Sequence, residues 1–195
     1  SPVKLPIQIR VLDDRINRDV SITSRLSSFF YLWGSALNVD TGKLAGVGLS
    51  DKTLFTSSPD SWEVEYHSGN LTAEDMTPPP RNEKEVRPLA VLVEGQFPDV
   101  FEGKEVPEWP KEAAEEDASY EKEPEEVSLD PKPGKLIIIG CAQPFRKELF
   151  RDPSHSGFFL NSIDAITLGE DLIEVRSKLP INRSIKRIST GAKAA

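Results

Sequence analysis

The most reactive side chain in this sequence belongs to its single cysteine, Cys141. It directly follows the apolar run at residues 135–140, and a nucleophile on a tight turn after a strand is the arrangement of a nucleophile elbow. His155 lies fourteen residues further on, with Glu148 and Asp152 between them. A thiol with a nearby histidine base is the machinery of a cysteine-dependent hydrolase.

The residues around Cys141 do not fit that machinery. An elbow requires small residues, usually glycine, two positions before and after the nucleophile. Ile139 and Gln143 occupy those positions. We therefore interpret Cys141 as a buried cysteine that acts as a small apolar side chain, with a Cys141–His155 hydrolase as the alternative.

No motif predicts a cofactor or a metal. Neither a GxxxxGK(S/T) phosphate loop nor a GxGxxG loop occurs, so the chain is not the ATPase of a transporter. One cysteine excludes an internal disulfide and a multi-cysteine zinc site. The two histidines, His67 and His155, have no metal-ligand spacing, and the acidic residues form no calcium-loop pattern. We expect no cofactor and no metal.

The charge is concentrated in one segment. Residues 102–126 contain eleven acidic residues and three lysines, which account for the whole net charge of −8. Because the segment is also rich in proline and poor in large apolar residues, we predict a mobile insertion at about residues 103–130. The alternative is an acidic docking or cation-binding loop. The acidic balance argues against a nucleic-acid surface.

The pattern along the chain predicts an α/β domain with a layered sheet and flanking helices. Residues 89–94 and 135–140 are almost continuously apolar, as are central strands covered on both faces. The other predicted strands are residues 7–12, 29–33, 43–49 and 53–57. No stretch reaches the roughly 18 apolar residues that span a bilayer.

A helix is predicted at residues 157–168. Phe159, Ile163 and Ile166 recur at helical spacing and predict the face that packs on the core. Asn161 and Asp164 are three residues apart, so we expect them to share a face and to fasten neighbouring loops.

Residues 54–66 carry a second recognisable pattern. A short β-prone run leads into a Ser-Ser-Pro-Asp-Ser turn that contains Ser58 and Pro59. Trp62, Val64 and Tyr66 then alternate on one face. A pocket lined by Trp33, Trp62 or Trp109 would favour a module that binds a small, carbohydrate-like molecule.

The order and spacing of these segments resemble the extracytoplasmic domain of the auxiliary component of gliding-motility-type ABC transporters. The resemblance covers roughly residues 7–180 and is carried by residues 19–37, 54–62, 89–97, 135–140 and 158–178. It implies the C-terminal part of a class I glutamine-amidotransferase-like (flavodoxin-like) domain without an evident active site. The positions that carry the family pattern in structural roles are Ser58, Pro59, Trp62, Asn161, Asp164 and Arg176.

The resemblance also implies a function. It predicts a non-enzymatic accessory and interaction domain at the periplasmic face of the bacterial inner membrane, with membrane-embedded ABC transporter subunits as partners. Residues 1–180 would form the domain, and the basic residues 181–195 would lead towards a membrane segment outside this chain. The alternatives are a degenerate or active amidotransferase-like hydrolase that uses Cys141, and a small-molecule-binding module.

Overall fold

The computed structural model describes residues 7–65, 71–99, 133–167 and 173. This part of the chain has a mixed α/β structure with two small antiparallel sheets. Its strands and helices are, in chain order, β1 (Gln8–Val11), β2 (Phe29–Leu32), α1 (Thr41–Gly46), β3 (Leu49–Thr56), β4 (Pro88–Gln96), β5 (Pro133–Ile139) and α2 (Pro153–Thr167). The predicted acidic insertion at 103–130, the tail at 181–195, and His67, Trp109 and Arg176 lie outside the described residues.

The two sheets are built from neighbouring antiparallel pairs. β1 pairs with β2, with Val11 opposite Phe29. The second sheet has the order β3-β4-β5, and Val91 at its centre lies opposite Thr53 and Ile138. All strand pairs in the described ranges are antiparallel, so the parallel sheet of a flavodoxin-like domain is not seen there.

Several predicted strands are confirmed. The strands expected at residues 7–12, 29–33 and 89–94 correspond to β1, β2 and β4. Residues 89–93 of β4 are all buried, which is the two-sided burial that their continuous apolar run predicts.

The strand predicted at residues 43–49 is wrong, because most of this segment forms α1. The Asp40 side chain accepts a hydrogen bond of 2.9 Å from the backbone N–H of Lys43 and so caps the helix. Gly48 follows α1 with a φ of 77°, a left-handed conformation that glycine adopts without strain. β3 then runs from Leu49 to Thr56, so the predicted break at residues 50–51 is also wrong.

The prediction that residues 135–140 form a strand is correct, but this strand is not covered on both faces. Leu136 and Ile138 are exposed, whereas Ile137 and Ile139 pack against the core. In the described part of the chain β5 pairs with β4 alone, which makes it an edge strand of this sheet.

The predicted helix is present as α2, but the predicted core face is wrong. Phe159, Ile163 and Ile166 are 39%, 41% and 51% exposed. The buried face consists of His155, Phe158, Asn161, Asp164 and Ala165. His155 and Asn161 can face the interior here because backbone groups accept or donate their hydrogen bonds.

One hydrophobic core joins both sheets to α2. The rings of Phe29 and Phe55 stack with centroids 4.8 Å apart, and Phe158 of α2 contacts both rings at 5.4 and 5.1 Å. β2, β3 and α2 are therefore fixed to one another through aromatic contacts. Within the described ranges, no helix combines the length and the apolar character needed to cross a membrane.

Candidate functional site

Cys141, the predicted reactive residue, is buried directly after β5 with 6% of its surface exposed. Burial raises the pKa of its thiol to about 12, against a smaller opposing effect of a hydrogen bond with the Leu32 backbone. The pKa of the neighbouring Tyr31 is also well above its ordinary value, first because of burial and then because of Cys141. The thiol is therefore protonated at neutral pH, the form that is not nucleophilic.

The two ring nitrogens of His155 both have backbone partners. Nδ1 lies 2.9 Å from the carbonyl oxygen of Leu149. Nε2 accepts a hydrogen bond of 3.2 Å from the backbone N–H of Phe30. These two bonds place the ring proton on Nδ1 and use the acceptor nitrogen that a general base would need.

Among the described residues, no hydrogen bond or ion pair joins the carboxylates of Glu148 and Asp152 to Cys141 or His155. The Asp152 side chain accepts a hydrogen bond of 2.7 Å from the backbone N–H of Ser154, at the first turn of α2. Glu148 is exposed. Cys141, His155 and Asp152 therefore have separate hydrogen-bond partners.

Asn161 and Asp164 both lie on the buried face of α2. The Asn161 side-chain amide donates a hydrogen bond of 3.0 Å to the carbonyl oxygen of Ile22, which is 139 residues away in the sequence. This bond fastens the loop before β2 to the helix, the kind of contact that the sequence predicts for this face.

A groove of about 790 Å³ opens on the described surface. We call it the tryptophan groove, because Trp33 and Trp62 both line it. The turn that contains Ser58 and Pro59 contributes Ser58, Asp60 and Ser61 to its wall. This turn is closed by a hydrogen bond of 3.1 Å from the backbone N–H of Ser61 to the Ser58 carbonyl. Other lining residues are Arg10, Ser57, Asp75 and Arg87.

Trp33 has a strained backbone. Its φ of 47° is left-handed, and among the described residues it is the one non-glycine residue with a positive φ. Its side chain is nevertheless 54% exposed. A bulky residue in this conformation costs free energy and needs a surrounding structure that holds it.

Backbone hydrogen bonds on both sides of Trp33 provide that support. The Trp33 N–H donates to the Ile7 carbonyl at 3.1 Å, and the Ser35 N–H donates to the Gly140 carbonyl at 2.9 Å. The Tyr31 hydroxyl donates to the Ser35 carbonyl at 2.6 Å. The Tyr31 ring lies so close to Gly34 that a β-carbon there would overlap it.

The opposite wall is held by polar contacts. The indole N–H of Trp62 donates to the Asp75 carbonyl at 3.4 Å, and Lys84 Nζ lies 5.8 Å from the centre of the Trp62 ring. Arg87 pairs with Glu63 at 3.0 Å and with Glu85 at 2.7 Å. Its backbone N–H donates to Ser57 Oγ at 2.9 Å.

The sequence identified only part of this site. The sequence patterns point to Trp33, Ser58 and Trp62, and the structure brings these three to one groove; Pro59 is in the same turn as Ser58 but does not line the groove. Arg10 and Arg87 were missed, because an arginine in a strand or a loop carries no signal of a pocket. Among the described residues, no three His, Cys, Asp or Glu side chains form a group that could hold a metal ion.

Comparison with known proteins gives one match. A family model described as an ABC-type uncharacterized transport system matches residues 2–165. No curated protein and no solved structure is significantly similar to the chain.

Proposed function

Because the chain belongs to the family of the ABC-type uncharacterized transport system, we propose that it is a non-enzymatic accessory domain of an ABC transporter. Its partners would be the membrane-embedded subunits of a gliding-motility-type system. It would work at the periplasmic face of the bacterial inner membrane, tethered by segments outside this chain. An ancestral relation to the glutamine-amidotransferase-like fold is part of the same proposal.

The observation that carries the proposal is the outer face of α2. It presents four large apolar side chains, each between 39% and 51% exposed: Phe159, Leu160, Ile163 and Ile166. Contiguous apolar side chains on a surface are typical of protein interaction sites. In a family defined by a transport system, the partner that fits such a face best is another subunit of the transporter.

The environment of Cys141 supports the non-enzymatic part of the proposal. A hydrolase would need an accessible thiolate and a base with a free acceptor atom. Burial keeps the Cys141 thiol protonated, and the backbone N–H of Phe30 occupies the acceptor atom of His155. A hydrolase that uses this pair is the less favoured alternative.

Co-purification tests the proposal. The tagged chain, expressed within its full-length parent, is solubilised from membranes, and transporter subunits bound to it are identified by mass spectrometry. We expect recovery of the membrane-embedded subunits, and a decrease of at least about tenfold with Ile163→Asp, because a charge in an apolar interface core is costly.

Val47→Asp is the matched control. Val47 is 49% exposed, similar to Ile163, but it lies at the end of α1. We expect this variant to keep normal recovery. Absence of transporter subunits from the wild-type sample, or equal losses with both variants, would contradict the proposal.

A further inference from the structure

We propose that the tryptophan groove binds a neutral saccharide, with the exposed ring of Trp33 as a stacking platform. The proposal concerns a surface other than the outer face of α2 and names a ligand for it. It rests on the proposed function only in that an accessory domain acts by binding.

The conformation of Trp33 points to a ligand role. A surface tryptophan gains little stability for the fold when about half of its area remains in water, yet its backbone is held at a φ of 47°. Glycine would adopt this conformation without strain. The strained backbone therefore costs free energy and places an exposed aromatic ring in a groove. Backbone strain together with such a ring is typical of ligand contacts.

The backbone that carries the Trp33 ring is rigid. The backbone on either side of Trp33 is fixed by hydrogen bonds to Ile7 and Gly140, which belong to distant parts of the chain. The Tyr31 hydroxyl adds a bond of 2.6 Å to the Ser35 carbonyl. A ring on such a support is already positioned before a ligand arrives, so binding costs less conformational entropy.

The charge of the groove lining decides the class of ligand. Four acidic residues, Asp60, Glu63, Glu65 and Asp75, share the groove with two arginines, Arg10 and Arg87. The terminal nitrogens of Arg87 pair with Glu63 and Glu85. An anionic ligand would meet an excess of negative charge, so phosphate and acidic sugars are disfavoured.

A neutral sugar fits the remaining features. Its ring has an apolar face of C–H groups that can stack on the negative face of an indole, and its hydroxyls can both donate and accept. The groove offers both kinds of contact, with Trp33 and Trp62 beside carboxylates and the hydroxyl of Ser58. A purely apolar ligand would leave those polar groups without partners at a cost in free energy.

Calorimetric titration of the purified chain tests the proposal. The probes are neutral hexasaccharides built on glucose, mannose, galactose or N-acetylglucosamine. We expect at least one of them to bind, and Trp33→Gly to weaken that binding by at least about tenfold, because one stacking platform is lost. Trp62→Ala should also weaken it. Val47→Ala removes an exposed apolar side chain outside the groove and should leave the affinity unchanged.

Thermal unfolding of Trp33→Gly separates a ligand role from a structural one. We expect this variant to be as stable as the wild type or more stable, since glycine relieves the strained φ. Binding of none of the probes, binding that survives Trp33→Gly, or a preference for polygalacturonate or for an extended peptide over every neutral probe would overturn the proposal. Since the titration needs no transporter subunit, its failure is distinguishable from failure of the co-purification.

Discussion

The backbone N–H of Phe30 donates a hydrogen bond of 3.2 Å to Nε2 of His155, and this bond joins β2 to the buried face of α2. The other ring nitrogen bonds to the Leu149 carbonyl at 2.9 Å. The ring also packs edge-on against Phe29 with centroids 4.9 Å apart. One buried histidine thus ties together a strand, a helix and the loop before that helix.

We predict that His155→Ala lowers the free energy of unfolding by about 3 kcal/mol, because two backbone groups lose their partner and a cavity is left. Urea denaturation measures the change. Ser156→Ala is the control, since its hydroxyl donates an exposed hydrogen bond to the Asp152 carbonyl, and we expect a change within about 0.5 kcal/mol. A loss below about 1 kcal/mol for His155→Ala would show that the ring does not hold the structure together.

The orientation of α2 gives a second prediction, based on a matched pair of variants. Phe158 is 2% exposed and contacts two core rings, whereas Ile163 is 41% exposed on the opposite face. We expect Phe158→Ala to cost about 3–5 kcal/mol of unfolding free energy and Ile163→Ala less than about 1 kcal/mol. Thermal or urea unfolding measures both changes. Similar losses of unfolding free energy for the two variants would contradict the orientation of α2.

For α2, the sequence predicted the helix but not which of its faces is buried. The helical spacing of Phe159, Ile163 and Ile166 predicted the existence of α2 correctly, but the same spacing assigned the core face to these three residues, which is wrong. The actual core face includes Asn161, whose partner is the Ile22 carbonyl. That partner is 139 residues away, and local spacing contains no information on such a contact.

For the strands, the sequence likewise predicted the elements but not the burial of every face. The continuous apolar run of β4 predicted its burial correctly, because a central strand needs apolar residues on both faces. β5 has a similar composition but exposes Leu136 and Ile138, because it lies at the edge of this sheet in the described part of the chain and one of its faces is left uncovered. The position of a strand within its sheet is set by tertiary pairing and cannot be read from composition.

The sequence predicted the aromatic residues of the candidate site. It did not predict that they lie together in one groove. Trp33 ends the predicted strand 29–33 and Trp62 follows the Ser-Ser-Pro-Asp-Ser turn, and these large aromatic side chains are why a tryptophan-lined pocket could be considered. Their placement on one groove is a tertiary feature, in which the Trp33 N–H bonds to the Ile7 carbonyl and the Trp62 indole bonds to the Asp75 carbonyl. The left-handed backbone of Trp33 is a tertiary effect that opposes the preference of its residue type.

A third prediction concerns acid stability. Glu94 in β4 bonds to Lys52 at 2.8 Å and lies 3.2 Å from Lys135, so its side chain bridges to both neighbouring strands. The hydrogen bond with Lys52 is the largest cause that lowers the pKa of Glu94 below its ordinary value. A carboxyl group with a lowered folded-state pKa stabilises the fold above its unfolded pKa, about 4.3, and this contribution is lost as the pH falls through the lower folded-state value.

We therefore expect Glu94→Gln to be less stable than the wild type at pH 7, and the difference to shrink as the pH is lowered from about 4.3. Urea unfolding at a series of pH values measures this. Glu74→Gln, at an exposed position, should show no such trend. A difference between Glu94→Gln and the wild type that persists undiminished at pH 2 would contradict the role of the charge.

The claim that this domain binds partners and does not catalyse is tested most directly by the alkylation rate of Cys141. The sequence contains one cysteine, so every label incorporated reports on this thiol. Because burial raises its pKa to about 12, we predict that the native chain reacts with iodoacetamide near neutral pH far more slowly than a free thiol. We also predict that His155→Ala increases labelling, since it loosens the fold around the thiol. Native labelling faster than that of a free thiol, with His155→Ala abolishing the excess, would contradict the account and establish a catalytic pair.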